Sequence, residues 1–281
     1  MSFVVDPSSP SVRIKLTIAY RGTHYHGWQV QKHSSTWKGV LPADGSGLPT
    51  IQAVCSKAIR SVVDHEVLLS GSSRTDSGVH AKGQVAHFDT PMKQIPLDGM
   101  RRACNSRMPD DIVIKSIEPV PPEFDAIVNT DRKRYQYVIW NASDRDPLRD
   151  DLMFHRWQKL DFDAMRAAAA HFQGEHDFNA FAKPGHGRAT TVRMLHECSL
   201  QVRGPMVVLG VTGSGFLWNM VRIIAGTLVD IGIGHINADD IPKILASRDR
   251  RNAGNTAPAH GLYLHWIRFH PLPTSAPEGD E

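Results

Sequence analysis

Between Val12 and Tyr20 the chain alternates: Val12, Ile14, Leu16, Ile18 and Tyr20 share one side, and Arg13, Lys15, Thr17 and Ala19 the other. A period of two marks a strand with one buried face. Residues 32–49, rich in Gly, Ser and Pro and containing Trp37, predict a loop. Beyond it the period changes. Ile51, Val54, Cys55, Ala58, Ile59 and Val62 recur at helical spacing behind Thr50, a residue suited to an N-cap. Residues 66–69 and 84–88 predict strands, Leu97–Asn105 a short helix, and residues 112–117 a strand that stops at the proline-rich stretch 119–122. The order is β-α-β-β-α-β.

The second half repeats it. Residues 135–140 form a strand rich in aromatic and β-branched side chains, and Asp161 is placed to cap a helix with Phe162, Met165, Ala169 and Phe172 on one face. Strands over 195–202 and 206–211 are joined by the turn Arg203-Gly204-Pro205. A long helix follows with Met220, Ile223, Ile224, Thr227, Leu228 and Ile231 in register, then a short helix over 241–246 and a last strand over 263–269. The expected fold is therefore α+β: two tandem ferredoxin-like units with mostly antiparallel sheets flanking a central cleft, an architecture common in RNA binding although fold alone does not give function. The first unit spans 11–122, the second 123–270, and 271–281 reads as a frayed tail. The charged stretch 141–151 does not separate the halves cleanly, so the strand at Tyr135 is assignable to either sheet.

Composition narrows the class. With 41% hydrophobic and 22% charged residues there is ample apolar material for a core, which excludes a disordered or collagenous chain. No run approaches the ~18 apolar residues of a membrane span, and the opening residues lack the pattern of a secretory signal. The net charge of +3 suits one local basic cleft on a mixed surface. Cys55, Cys104 and Cys198 are sparse and far apart, which points to a reducing compartment, the cytoplasm, and away from disulfides and zinc. The pairs His24/His26 and His80/His87 lack further ligands at zinc spacing, so no metal site is expected.

The chemistry is concentrated between two predicted strands, in Ser70-Gly71-Ser72-Ser73-Arg74-Thr75-Asp76-Ser77-Gly78-Val79-His80-Ala81-Lys82-Gly83-Gln84. This stretch is too long and polar for a tight hairpin. Arg74 and Asp76 are two apart, on one face of an extended backbone. An arginine beside an aspartate keeps the carboxylate ionised, fit to act as nucleophile or base. The plain alternative is a surface ion pair that pins a Gly-rich loop.

Arg74-Thr75-Asp76-x-Gly78-Val79-His80-Ala81, followed by Gly83-Gln84-Val85-Ala86-His87-Phe88, resembles the signature of the tRNA pseudouridine synthase A family. Further blocks resemble it in family order: Tyr20-Arg21-Gly22-Thr23-His24-Tyr25-His26-Gly27-Trp28-Gln29, Lys133-Arg134-Tyr135-Gln136-Tyr137, Gly174-x-His176-Asp177-Phe178-x-Ala180-Phe181, Phe216-Leu217-x-x-Met220-Val221-Arg222-x-Ile224-x-Gly226 and Gly261-Leu262-Tyr263-Leu264. The resemblance implies isomerisation of uridine to pseudouridine in tRNA, at positions 38 to 40 of the anticodon arm. That reaction breaks the N1–C1′ bond, turns the uracil and rejoins it through C5, so no metal or redox cofactor is expected. The target base has to leave its stack, at a cost of a few kcal/mol.

By the same resemblance Asp76 is the catalytic carboxylate, Arg74 helps displace the base, Tyr135 stacks on uracil and moves a proton at C2′ or C5, and Arg222 pairs with Asp76. Thr75, Gly78, His80, Gln84 and Leu264, with Arg101 and Arg134 from basic clusters, are expected at the substrate, His80 also ordering the loop. The clusters Arg101-Arg102, Arg132-Lys133-Arg134 and Arg248-x-Arg250-Arg251 can follow phosphates or be solvated faces. A homodimer is implied, each cleft taking tRNA from the partner's side. The chain departs from the family at Ser73, usually Gly, which would be strained at positive φ, at Ser77, commonly Ala, and in the long loop 32–49. Two readings compete: a tandem ferredoxin-like RNA-binding protein without catalysis, and a glycosidase, which needs a second carboxylate near Asp76.

Overall fold

The alternation that begins at Val12 becomes β1 (Val12–Tyr20), with Ile14, Leu16 and Ile18 buried. The structure is a computed structural model that describes residues 11–30, 49–91, 96–185 and 187–271. The loop 32–49, except Pro49, and the tail beyond residue 271 lie outside the described residues.

The first half continues as α1 (Ile51–Val63), β2 (Ser70–Gly71), β3 (His80–Thr90), α2 (Leu97–Asn105) and β4 (Ile112–Val120). Thr50 caps α1 by accepting from the Ala53 N–H at 3.3 Å. The second half contains β5 (Thr130–Asn141), β6 (Phe154–Arg156), α3 (Phe162–Ala170), β7 (Gly174–Asp177), β8 (Val192–Arg203), β9 (Met206–Gly213), α4 (Met220–Gly232), α5 (Ile241–Ser247) and β10 (Leu262–Phe269). Asp161 caps α3 through the N–H groups of Asp163 and Ala164, both at 3.0 Å.

The strands form one sheet in the order β4-β1-β3-β10-β5-β9-β8-β7, with β2 on β3 and β6 on β5. Within it, β4-β1-β3-β2 and β10-β5-β9-β8 each have the strand order of a ferredoxin-like unit. The two expected sheets are thus present but fused edge to edge. The seam is a short parallel pairing, Tyr263 with His80 and Leu264 with Ala81. It forms because β2 is only two residues long and covers β3 opposite Ala86 and His87, leaving the start of β3 open. The strand expected over 66–69 is absent: Leu68 is exposed and pairing begins at Ser70. β5 pairs with β10 and β9, so Tyr135 sits in the second unit. Strand β3 starts at His80 rather than Gln84, and β6 and β7 have no counterpart in the sequence pattern.

Helix α4 is buried almost all round because residues 254–257 cross it closely. A Cβ at Gly226 would lie 1.7 Å from the Asn255 carbonyl oxygen. The crossing is tied by Ala257 N–H to Arg222 O (3.1 Å) and by Arg222 Nε to Ala257 O (2.8 Å). The three cysteines are buried and unpaired. In an open helix Gly→Ala gains about 1 kcal/mol. Here Gly226→Ala is expected to reverse sign and destabilise by about 1–3 kcal/mol, the range for overpacking. Urea unfolding of the variant checks this; a midpoint at or above wild type would show that the crossing relaxes freely.

Candidate active site

The loop from Ser72 to Val79 joins β2 to β3, and its backbone is held from several sides. The fully buried side chain of Gln84 accepts from the Ser73 N–H (3.3 Å) and the Val85 N–H (3.1 Å) and donates to the Ser73 carbonyl. The Ser72 N–H donates to Val85 O at 2.8 Å. Further on, Thr75 O accepts from the Trp28 N–H (3.0 Å), and Thr75 Oγ1 meets the Tyr20 hydroxyl (2.8 Å). Gly27 makes this approach possible, for a Cβ there would stand 2.3 Å from Thr75 O. Gly78, at φ +78°, turns the chain into β3.

Held this way, the loop alternates. Ser73 and Thr75 point inward, Arg74 is exposed, and Asp76 is partly open. The Asp76 side chain, 32% exposed, takes a donor on each oxygen: Arg222 Nη1 on Oδ2 at 3.4 Å and Trp218 Nε1 on Oδ1 at 3.1 Å. Arg222 is itself anchored by Ala257 O and by Asn219 Oδ1 at 3.2 Å. Arg74 makes no ion pair or hydrogen bond among the described residues, so the alternative of an Arg74–Asp76 surface pair is not what the structure shows; the cation at Asp76 is Arg222 of α4, across the seam, the residue the resemblance set against it.

Tyr135 lies on β5 beside Leu264, its register partner. Its hydroxyl meets Ser73 Oγ at 2.9 Å, and its ring is edge-on to Phe216, centroids 5.1 Å apart. Burial, aided by the Asp76 charge and opposed by the Ser73 hydrogen bond, pushes the phenol up to about 12. The departures from the family therefore act as bonds rather than strains. Ser73 keeps out of the left-handed region, and Ser77 Oγ donates to Tyr25 O at 3.1 Å. Lys133, two residues before Tyr135, donates to Ser72 O at 2.7 Å, and burial pulls its ammonium down to about 8.

Of the other expected substrate residues, Thr75, His80, Gln84 and Leu264 are buried: Thr75 bonds Tyr20, His80 takes the Gly22 N–H, Gln84 bonds the Ser73 backbone, and Leu264 pairs with Ala81 at the seam. Arg134 faces away from Tyr135, because neighbours on a strand alternate, and bonds Glu197 and Thr212 Oγ1. Arg101 pairs with Asp98 on α2 at 2.8 Å, and no contact links it to Asp76. Trp218 and Lys133 escaped the sequence reading as site residues. Trp218 occupies a variable position of its motif, and Lys133 looked like one member of a basic cluster. Among the described residues no group of three or more His, Cys, Asp or Glu could hold a metal.

The loop, the tyrosine strand and the arginine helix carry the blocks on which the resemblance rested. Residues 16–127 and 168–270 match the family described as tRNA pseudouridine synthase. The chain is 45% identical over 251 residues to the tRNA pseudouridine synthase A of Acetivibrio thermocellus, covering 89% of this chain and 97% of that one. To that of Ruminiclostridium cellulolyticum it is 44% identical over 258 residues, 92% and 99% of the two chains. To that of Pelobacter propionicus it is 42% identical over 256 residues, 91% and 99%. This chain belongs to the tRNA pseudouridine synthase family. It is an RNA-modifying isomerase.

One titration is legible in the same geometry. His80 Nδ1 accepts from the Gly22 N–H at 2.9 Å, so the ring is neutral, with the proton on Nε2 facing His260 O (3.0 Å) and Asp151 O (3.1 Å). Burial lowers the pKa of His80, and likewise of His87, His260 and His265. With folded values below the unfolded ~6.5, the unfolded chain takes up protons first. Stability is full above that pH and falls as pH drops through it. The urea midpoint is expected to decline between pH 7.5 and 5.5, and less steeply in His80→Gln; equal slopes would remove His80 from the account.

Proposed function

We propose that this chain isomerises uridine to pseudouridine at positions 38 to 40 of the tRNA anticodon arm, acting in the cytoplasm as a homodimer, with Asp76 as the attacking carboxylate. The observation that carries the assignment of Asp76 is its setting. It is a partly open carboxylate with one donor on each oxygen, beside an exposed arginine that has no partner among the described residues. A carboxylate so held is aimed, and free to attack C1′ or C6 of a uridine brought out of its stack. Arg74 is the side chain available to displace that uridine, since it gives up no ion pair to do so. Among the described residues no second carboxylate pairs with Asp76, which disfavours a glycosidase.

Tyr135 supplies the ring for the displaced uracil and the hydroxyl for the proton step at C2′ or C5. The overall change is an isomerisation: N1–C1′ is exchanged for C5–C1′, N1 ends with a proton and C5 gives one up. A phenol pushed up to about 12 stays protonated at neutral pH. It can therefore take a proton from C2′ or C5 only by passing its own on in the same step, to the base whose N1 ends protonated, while the Ser73 Oγ bond orients the hydroxyl. Arg222 orients the carboxylate. Arg101, partly exposed beside Asp98 and away from Asp76, is available for a phosphate contact at the periphery, whereas Arg134 is held by Glu197 and Thr212.

Asp76→Asn is expected to cut single-turnover isomerisation of an unmodified tRNA transcript by more than about a thousandfold, with tRNA affinity within a few-fold, because phosphate contacts dominate binding. Tyr135→Phe should bind normally and lose most turnover. Mapping pseudouridine along the product checks both site and rate. Substantial turnover by the Asn variant would remove Asp76 from its role, and modification outside the anticodon arm would overturn the positional assignment.

A further inference from the structure

Trp218 is a large apolar side chain left 43% exposed, and it is exposed at the carboxylate. It stands in the turn between β9 and α4, next to Asn219, whose left-handed backbone (φ 61°) starts the helix. The indole N–H is committed to Asp76 Oδ1 at 3.1 Å. On the ring, Lys183 Nζ lies 4.1 Å from the centroid, and the Lys183 backbone N–H donates to Trp218 O at 2.9 Å. The Lys183 ammonium meets no carboxylate among the described residues. Past Lys183 opens a cavity of about 590 Å³ bordered by Asn179, Ala182, Pro184, Arg248, Asp249 and Arg250, with Arg248 paired to Asp177 and Asp249 to Arg251. Among the described residues Arg250 bonds neutral oxygens, Ala253 O and Thr256 Oγ1.

We propose that Trp218 is both the positioning residue of Asp76 and the platform on which an unpaired nucleobase of the RNA stacks, with Lys183 taking the adjoining phosphate. The physical case has three parts. An exposed indole fixed at its N–H presents its ring in one orientation, so little freedom is lost when a base lies on it. Unpaired bases of RNA loops are taken up by aromatic side chains, and stacking needs no particular base. A cation already over the ring and free of a carboxylate is placed for the phosphate that follows a stacked base. The same indole donor fixes the Asp76 rotamer, so seating the RNA and aiming the carboxylate are one event. An RNA occupant, rather than a protein, follows from the reading of Asp76 given above, on which this inference rests.

The experiment compares Trp218→Ala, Trp218→Phe and Lys183→Ala with wild type in tRNA affinity and single-turnover rate, after urea unfolding has verified the fold of each. Trp218→Ala is expected to weaken tRNA binding about tenfold and to slow the chemical step. Trp218→Phe keeps a ring but no donor, so affinity should return to within about twofold while the rate stays low. Lys183→Ala should lower the slope of log affinity against log salt by about one. Wild-type affinity in Trp218→Ala, or an affinity in Trp218→Phe as poor as in the alanine variant, would overturn the stacking role. A wild-type rate in Trp218→Phe would overturn the positioning role, and an unchanged salt slope in Lys183→Ala the phosphate contact. If instead Asp76→Asn still turns over, the catalytic reading fails by itself, and the affinity comparison continues to decide the stacking role.

Discussion

The parallel pairing of β3 with β10, only Tyr263 with His80 and Leu264 with Ala81, is the constraint on which the site depends. Every candidate catalytic group hangs from it. The Asp76 loop runs directly into β3. Tyr135 is the partner of Leu264 on the other side of β10. Arg222 is tied to residue 257, a few positions before β10 begins. Moving the two units apart at this seam would separate the carboxylate from its arginine and the tyrosine from Ser73 together. Two residue pairs suffice because His80 locks the same place from within, bridging Gly22, Asp151 and His260 through both ring nitrogens.

The loop at the seam is positioned by its backbone, and its side chains are thereby released. Gln84, Trp28 and Val85 bond the main chain of Ser72, Ser73 and Thr75. Leaving such a buried donor or acceptor unmatched costs more than the bond itself contributes, so this clamp is stiff. With the backbone fixed, the side chain of Arg74 needs no structural partner. That is why no Arg74–Asp76 surface pair forms: the carboxylate is served by Arg222 of α4, which leaves the Arg74 side chain uncommitted.

The fold was legible wherever burial imposed a period. Alternation over β1 and the helical spacing of α1 and α4 sufficed because one face of each meets the core. The Thr50 and Asp161 caps were legible because capping is local chemistry. The misplaced strand over 66–69 shows the limit. Its residues Val67-Leu68-Leu69 look like a buried strand, yet only Leu69 is buried, and pairing starts where Gly71 lets Trp28 pack on the backbone. The seam was not legible at all, because parallel pairing between strands some 180 positions apart leaves no local trace. In the site, Asp76, Tyr135 and Arg222 came from motif resemblance rather than pattern. Trp218 came from neither: it sits in a turn, outside any period and at a variable position of its block.

The role proposed for Asp76 places two opposed demands on it. A nucleophile has to be aimed, which favours donors and burial, and it has to be reached by a bulky substrate, which favours exposure. Full burial with one arginine would set a large desolvation cost against the pair. Full exposure would leave the carboxylate mobile and screened. The observed compromise is a graded wall: the Arg222 side chain 17% exposed, Asp76 32%, and the Trp218 residue 43%. Deeper still, Tyr135 and Ser73 are buried, so exposure increases from a dry hydroxyl pair outward to a wet indole. On the proposed reading, a uridine entering along that gradient meets the indole and the charged groups first and the Tyr135 hydroxyl last, the order that base displacement followed by proton transfer requires.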